Sequence, residues 1–278
     1  MCIRDRSPDS WTVDCDLLEE ALESANRENR LPRAIVPTDL YGQSVDIERL
    51  ETMVKRYGVK LVIDSAESLG ASFKGGRKCG TGGDVSILSY NGNKIITTSG
   101  GGMLVSKDPK LVEKARFLAT QARDPAPHYE HSEVGYNYRL SNVCAAIGLG
   151  QMEVLNERVA ARRAIFARYA SEMAHQGITY MPEPEGYHSS RWLTAALFDP
   201  VKLGVDRETI RTTLLKEDIE TRPLWKPMHM QPLFKGAHYV GSGFDEALFQ
   251  EGLCLPSGSD MTEGEQGEVI ARITDLWK

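Results

Sequence analysis

The chain has 278 residues, 41% hydrophobic and 26% charged, an ordinary globular composition with room for one large core or two moderate ones. Its net charge of -6 argues against a nucleic-acid binder, which shows a basic excess, and no apolar run approaches the roughly 18 residues needed to span a membrane. The five cysteines, Cys2, Cys15, Cys79, Cys144 and Cys254, are scattered and lack a CxxC pair, so they read as those of a reduced, cytoplasmic protein with no zinc site.

The opening stretch, residues 1–10, lacks the apolar run of a secretory signal and any periodicity, and reads as an unmatched remnant. Cys15 to Asn26 has helical spacing, with Leu17, Leu18, Ala21 and Leu22 on one face. "RAIVPT" follows as a short buried strand, and "DIERLETMVKRYG" as a helix closed by Gly58. Strands are predicted over Val59 to Asp64, Asp84 to Tyr90 and Gly101 to Ser106, and a helix over "DPKLVEKARFLATQA". Strands alternating with helices imply a mixed, mostly parallel α/β sheet. A long polar loop, "RDPAPHYEHSEVGYNYR", precedes a helical run from Ser141 to about Met173 that leads into a second, smaller α+β unit. That unit holds a strand "RWLTAALF", a helix over Arg207 to Lys216, a strand "DIETRPLW" and a last helix "EGEQGEVIARITDLW". The domain reading is therefore 11–155 for a large unit and 156–278 for a small one.

Lys94 stands out in "SYNGNKIITTSGGGML". Most lysines are solvated surface groups. This one directly follows a buried strand, at the strand end where α/β sheets place ligands. Ser89 lies five residues before it, and Ser99 to Gly102 behind it allow close backbone approach to a ligand. A lysine held there can act as a Schiff-base amine. Asp64 in "VIDSAESLGA" has two readings. It can cap a helix, with Glu67 three residues on completing a capping box, which local sequence slightly favours. It can also hold the ring nitrogen of a cofactor in its protonated form. In "GYNYRLSN", Ser141 or Asn142 caps the following helix, or Asn137 or Arg139 contacts a phosphate. "GRKCGTGGD" lacks the order of a phosphate loop and reads as a turn. The six histidines show no metal spacing, and His229 is either structural or lines a site.

Asp64 in "IDSAESLGA", "SYNGNK" thirty positions on, then "TTSGGGM" and "GYNYRLSN", in that order, resemble the DegT/DnrJ/EryC1/StrS sugar aminotransferases. "YNGNKIITTSGGGML", "QARDPAPHYEH", "ETRPLWKPMH" and "CLPSGS" resemble the branch that aminates C4 of UDP-linked 4-keto-6-deoxy-N-acetylhexosamines, as in bacillosamine synthesis. The resemblance implies the aspartate-aminotransferase type I fold, pyridoxal 5'-phosphate (PLP) as cofactor, glutamate as amino donor and a homodimer with shared sites. It makes Lys94 the Schiff-base lysine, Asp64 the partner of the pyridine nitrogen and Ser89 a phosphate ligand. Asn137 reaches the phosphate of the neighbouring subunit. Glu67 stands near the cofactor's 3-hydroxyl, where many relatives have Gln or His. Arg222 and His229 are expected substrate contacts. In the family a further N-terminal segment precedes the part matching "SWTVDCDLLEEAL", so the chain reads as truncated, with apolar surface left exposed. The rivals are a sugar dehydratase of the same fold, in which histidine replaces the lysine, and a dinucleotide-binding protein, which needs G-x-G-x-x-G. Two others are an aminotransferase acting on a different nucleotide-linked keto sugar, at C3 or C4, and an inactive fragment.

Overall fold

The computed structural model describes residues 2–277, with side chains from residue 5 onward. The chain enters through β1 (Cys2–Arg4), which pairs in parallel with a strand near the C-terminus. Asp14 then caps α1 (Cys15–Arg27), its carboxylate accepting the N–H groups of Asp16 and Leu17. This helix buries Cys15, Leu18 and Leu22. β2 (Ala34–Ile35) leads to α2 (Ile47–Tyr57), capped by Asp46 and closed by Gly58 at φ 67°. Ile47, Leu50 and Met53 form the buried face of α2, the helical stripe expected when every third or fourth residue is apolar. β3 (Lys60–Asp64) and β4 (Val85–Ser89) run parallel to β2, and β5 (Gly102–Val105) returns antiparallel on β4. The strand order is β2-β3-β4-β5. One core forms where α1 and α2 cover this sheet, around Val45, Leu50, Leu61, Ile63 and Phe73.

After α3 (Pro109–Ala119) comes a long loop, then α4 (Asn142–Glu153) and α5 (Leu155–Glu172). A single helix is predicted over this run, but it breaks at Val154 (φ -106°, ψ 8°). The break lets α5 lay Leu155 and Val159 onto Leu88 of the first sheet and onto Tyr90 and Ile96 of the loop that follows it, while α4 stays exposed. The later turns of α5, through Ile165 and Tyr169, belong to a second core. That core lies on an antiparallel sheet, β6-β7-β10-β8. Its elements are β6 (Ile178–Tyr180), β7 (Thr194–Phe198), α6 (Pro200–Leu203), α7 (Arg207–Leu215) and β8 (Arg222–Pro223). β10 (Gly252–Leu255) and α9 (Glu263–Thr274) complete it, while β9 (His238–Val240) pairs with β1 and α8 (Phe244–Glu251) packs Leu248 into a separate cluster with Trp11 and Tyr41. The long strand expected over 218–225 shrinks to two residues because Pro223 has no N–H to extend the ladder.

Residues 2–10 pack against the rest of the fold. β1 is the partner of β9, and Asp5 is fully buried. Asp5 accepts the backbone N–H groups of Ser242, Gly243, Phe244 and Asp245 at 2.8–3.0 Å. "GRKCGTGGD" is a turn, with Gly76, Gly80 and Gly83 at positive φ. Cys15, Cys79, Cys144 and Cys254 are free thiols, and the side chain of Cys2 lies outside the described ones. Among the described residues no group of three or more metal-binding side chains gathers, and no helix is long and apolar enough to cross a membrane.

Candidate active site

The parallel register of β3 and β4, with Asp64 opposite Ile87, brings the C-terminal ends of both strands to one edge of the sheet. Asp64 ends β3 and Ser89 ends β4, at the edge where open α/β sheets hold their ligands. A tight loop follows. Lys94 N–H donates to Asn91 O, and Thr98 N–H and the Tyr90 carbonyl close the loop, both at 3.0 Å. The loop aims the Lys94 amine at Glu67, 3.9 Å from its Oε1. The same amine lies over the ring of Trp192, 4.2 Å from its centroid. Both charged side chains are only 13% exposed, so the pair is shielded from bulk water.

Asp64 and Glu67 do not form a capping box. No helix starts after Asp64. Its Oδ1 accepts the Ala66 N–H at 3.1 Å, while Glu67 turns away to other partners. Glu67 Oε2 accepts the Tyr41 N–H at 2.9 Å, and the Trp225 indole N–H reaches both carboxylate oxygens at 3.0 and 3.2 Å. Burial pushes the Glu67 carboxyl above its ordinary range, against the Tyr41 N–H, the Lys94 charge and the Trp225 indole, which favour the anion. Beneath Asp64 lies Asp39, whose N–H donates to the Asp64 carbonyl at 2.9 Å. Asp39 is fully buried, and burial pushes its carboxyl up to about 6 despite hydrogen bonds from Ser68 Oγ at 2.5 Å and Val45 N–H at 2.9 Å.

Two of the three glycines behind Lys94 are closely packed. A Cβ on Gly101 would meet Leu140 Cδ1 at 2.5 Å, and one on Gly102 would meet the Leu88 carbonyl at 2.5 Å. They are needed for chain packing, and only Gly100 faces open space. Ser89 Oγ accepts the Asn91 N–H at 3.3 Å. Asn137 lies on an arm whose backbone bridges to Thr120, flanked by the stacked rings of Tyr136 and Tyr138. It is exposed, as is Arg139, and stands outside the Lys94–Glu67 group. Gly135 is required where the arm leaves, since a Cβ would lie 2.2 Å from Ala122 N. Arg222 is 69% exposed and pairs with Glu220. His229 Nε2 meets Glu246 Oε1 at 2.8 Å, its Nδ1 lies 3.7 Å from Asp245 Oδ2, and its ring stacks on Tyr239. The structure brings Lys94 and Glu67 into contact and sets Asp64 and Ser89 on the same sheet edge, but it engages Arg222 and His229 elsewhere.

Trp192, Trp225 and Tyr41 are site residues that sequence reasoning missed. Indoles inside strand-like runs read as core, and the one available signal is a charged Glu67, which needs donors once buried.

An amine, a carboxylate and a hydroxyl on one strand edge suit a group carrying an aldehyde, a basic ring nitrogen and a phosphate, and that is the donor set PLP requires. A mostly parallel sheet with a lysine just beyond one strand end, and an antiparallel lobe behind it, fits the class of PLP-dependent aminotransferases. The pattern of the DegT/DnrJ/EryC1/StrS aminotransferase family matches residues 2–274. The chain is 50% identical over 278 residues to EpsN of Bacillus subtilis (strain 168), assigned as a pyridoxal phosphate-dependent aminotransferase, covering 98% of this chain and 71% of EpsN. It is 33% identical to a GDP-perosamine synthase of Vibrio cholerae, covering 92% of this chain and 70% of the relative. A DegT/DnrJ/EryC1/StrS aminotransferase structure from Brucella abortus superposes with a TM-score of 0.87 at 26% identity, over 98% of this chain and 72% of that one. The chain belongs to the DegT/DnrJ/EryC1/StrS aminotransferase family, it is a sugar aminotransferase, and its cofactor is PLP.

Proposed function

We propose that this chain transfers an amino group from glutamate to C4 of a UDP-linked 4-keto-6-deoxy-N-acetylhexosamine, with Lys94 as the residue that binds PLP. The observation that carries this reading is the shielded Lys94 amine, 3.9 Å from Glu67 at the strand edge that also holds Asp64 and Ser89. When bound, PLP supplies an electron sink that acidifies the carbon next to the amino group. Lys94 takes that proton as a base and returns it as an acid. Asp64 keeps a ring nitrogen protonated, Ser89 holds phosphate oxygens, and Glu67 lies beside the ring's hydroxyl. The exposed Asn137 reaches a phosphate in a second copy of the chain, so the working unit is a homodimer. We read residues 11–155 as the cofactor-binding unit, 156–278 as the small unit, and the protein as cytoplasmic. Arg222 and His229 remain proposed substrate contacts only for an arrangement in which they leave Glu220 and Glu246.

A second reading has a specific basis. Three relatives at 30–33% identity are GDP-perosamine synthases, so a GDP-linked sugar is the alternative acceptor. The direct test incubates the protein with PLP, reduces with borohydride and maps the adduct by mass spectrometry. A pyridoxyl group on Lys94, absent from Lys94→Ala, supports the site. Labelling confined to surface lysines overturns it. Turnover of UDP- against GDP-linked keto sugars with glutamate then separates the two acceptors.

A further inference from the structure

Two indoles from the C-terminal half converge on the Lys94–Glu67 pair. Trp192, just before β7, is 2% exposed. It offers its ring face to the Lys94 amine at 4.2 Å and donates its indole N–H to the carbonyl of Asn93, the residue before Lys94, at 2.9 Å. Its own carbonyl accepts from the buried Arg162 guanidinium at 2.7 Å. Trp225 follows β8 and donates to both oxygens of Glu67. Its backbone N–H donates to Tyr41 Oη at 2.8 Å, and Arg6 bridges the Tyr41 hydroxyl and the Trp225 carbonyl. The two rings lie 6.4 Å apart. Each member of the pair is therefore gripped by one indole, and each indole is held in turn by its own backbone.

We propose that Trp192 and Trp225 are positioning residues: Trp192 sets the place of the Lys94 amine and Trp225 aims the Glu67 carboxylate at it. The proposal rests on the reading of Lys94 as the PLP-binding residue. The chemistry needs two directional constraints. A cation above an aromatic face is attracted to the ring, yet free to slide across it, so the N–H to Asn93 pins the loop that carries it. A buried carboxylate can rotate unless donors occupy it. With Trp225 on both oxygens and Tyr41 N–H on one, Glu67 is left with a single outlook, toward Lys94.

The test needs no cofactor in its first part. Lysines are reductively methylated with 13C-formaldehyde, and the Lys94 methyl signal is assigned by its loss in Lys94→Arg. The ring current of Trp192 places that signal upfield of the surface lysines. Trp192→Leu moves it to the surface group. Trp192→Phe keeps a ring but drops the bond to Asn93, moves the signal part of the way, and serves if the leucine variant does not fold. Trp225→Phe shifts the signal in the parent, but not in a Glu67→Gln background. In the second part, Trp225→Phe slows pyridoxylation of Lys94 roughly fivefold, the effect of one lost buried hydrogen bond, with no further loss when Glu67→Gln is present. An unmoved Lys94 signal in folded Trp192 variants, or equal Trp225→Phe shifts in both backgrounds, overturns the proposal. Absence of any pyridoxyl group on Lys94 in the parent overturns the PLP reading instead, while the methyl signal still judges the positioning.

Discussion

Asp39 is a residue beside the site that the sequence did not single out. It lies fully buried under Asp64 with Ser68 and Val45 as donors. Its carboxyl is raised from an ordinary 3.8 to about 6, with burial as the main cause and Asp64 adding in the same direction. The folded state therefore holds the proton over a pH range in which the unfolded chain has released it. Stability from this group is full below about pH 4 and falls as pH rises toward 6, by roughly 3 kcal/mol in all. Asp39→Asn keeps an acceptor for Val45 and abolishes this slope, which denaturant unfolding at pH 4.5 and 7 checks. Glu67, also raised by burial, contributes with the same sign. Lys94 and Asp64, by contrast, could be picked out from order and spacing, because strand-end position is encoded by the apolar run before each. The partners of Glu67 were illegible, since Tyr41 is 26 residues away and Trp225 is 158.

At the scale of elements, helices read well wherever a cap and a periodic face coincide. Asp14, Asp46, Asp108 and Asp206 each cap the helix that follows. Short strands read poorly. β6 and β10 are three and four residues long and draw their pairing from β7, which local sequence does not reveal. The Tyr41–Gly42 turn is the element on which the site depends most. Tyr41 (φ 55°) and Gly42 (φ 103°) are both left-handed, and a Cβ on Gly42 would lie 2.5 Å from Trp192 N and 2.6 Å from Arg191 N. Gly58 is also left-handed, but nothing lies within 4 Å of its Cβ position. Gly58→Ala is therefore expected to cost about 1 kcal/mol, from backbone strain alone. Gly42→Ala adds a backbone clash, costs about 3 kcal/mol and displaces Trp192. Thermal unfolding ranks the two, and only Gly42→Ala should also slow Lys94 labelling by PLP.

Over the whole molecule, apolar surface is unevenly distributed. α4 buries none of its residues, and Val143 and Leu149 are 72% and 70% exposed. Ile87, Met103 and Leu104 on β4 and β5, and the Tyr136–Tyr138 arm, are exposed as well. Exposed apolar side chains in these numbers favour association. The proposed homodimer predicts a concentration-dependent sedimentation coefficient, and Val143→Glu with Leu149→Glu should weaken association at least tenfold while leaving denaturant unfolding nearly unchanged. Ion pairs such as Arg49–Asp16 and Lys60–Asp84 lie at the surface and contribute little to either equilibrium. By itself the sequence determined the alternation of strands and helices, the strand ends at Asp64 and Ser89, and the family these motifs resemble, because strand period, helix caps and motif order are local properties of the chain. Only the tertiary structure decided that Glu67 faces Lys94, that two indoles grip the pair, that α4 and α5 separate at Val154 and that Arg222 pairs with Glu220. Those outcomes depend on which distant segments share a desolvated space, where a buried charge must find its donors among whatever the fold brings near.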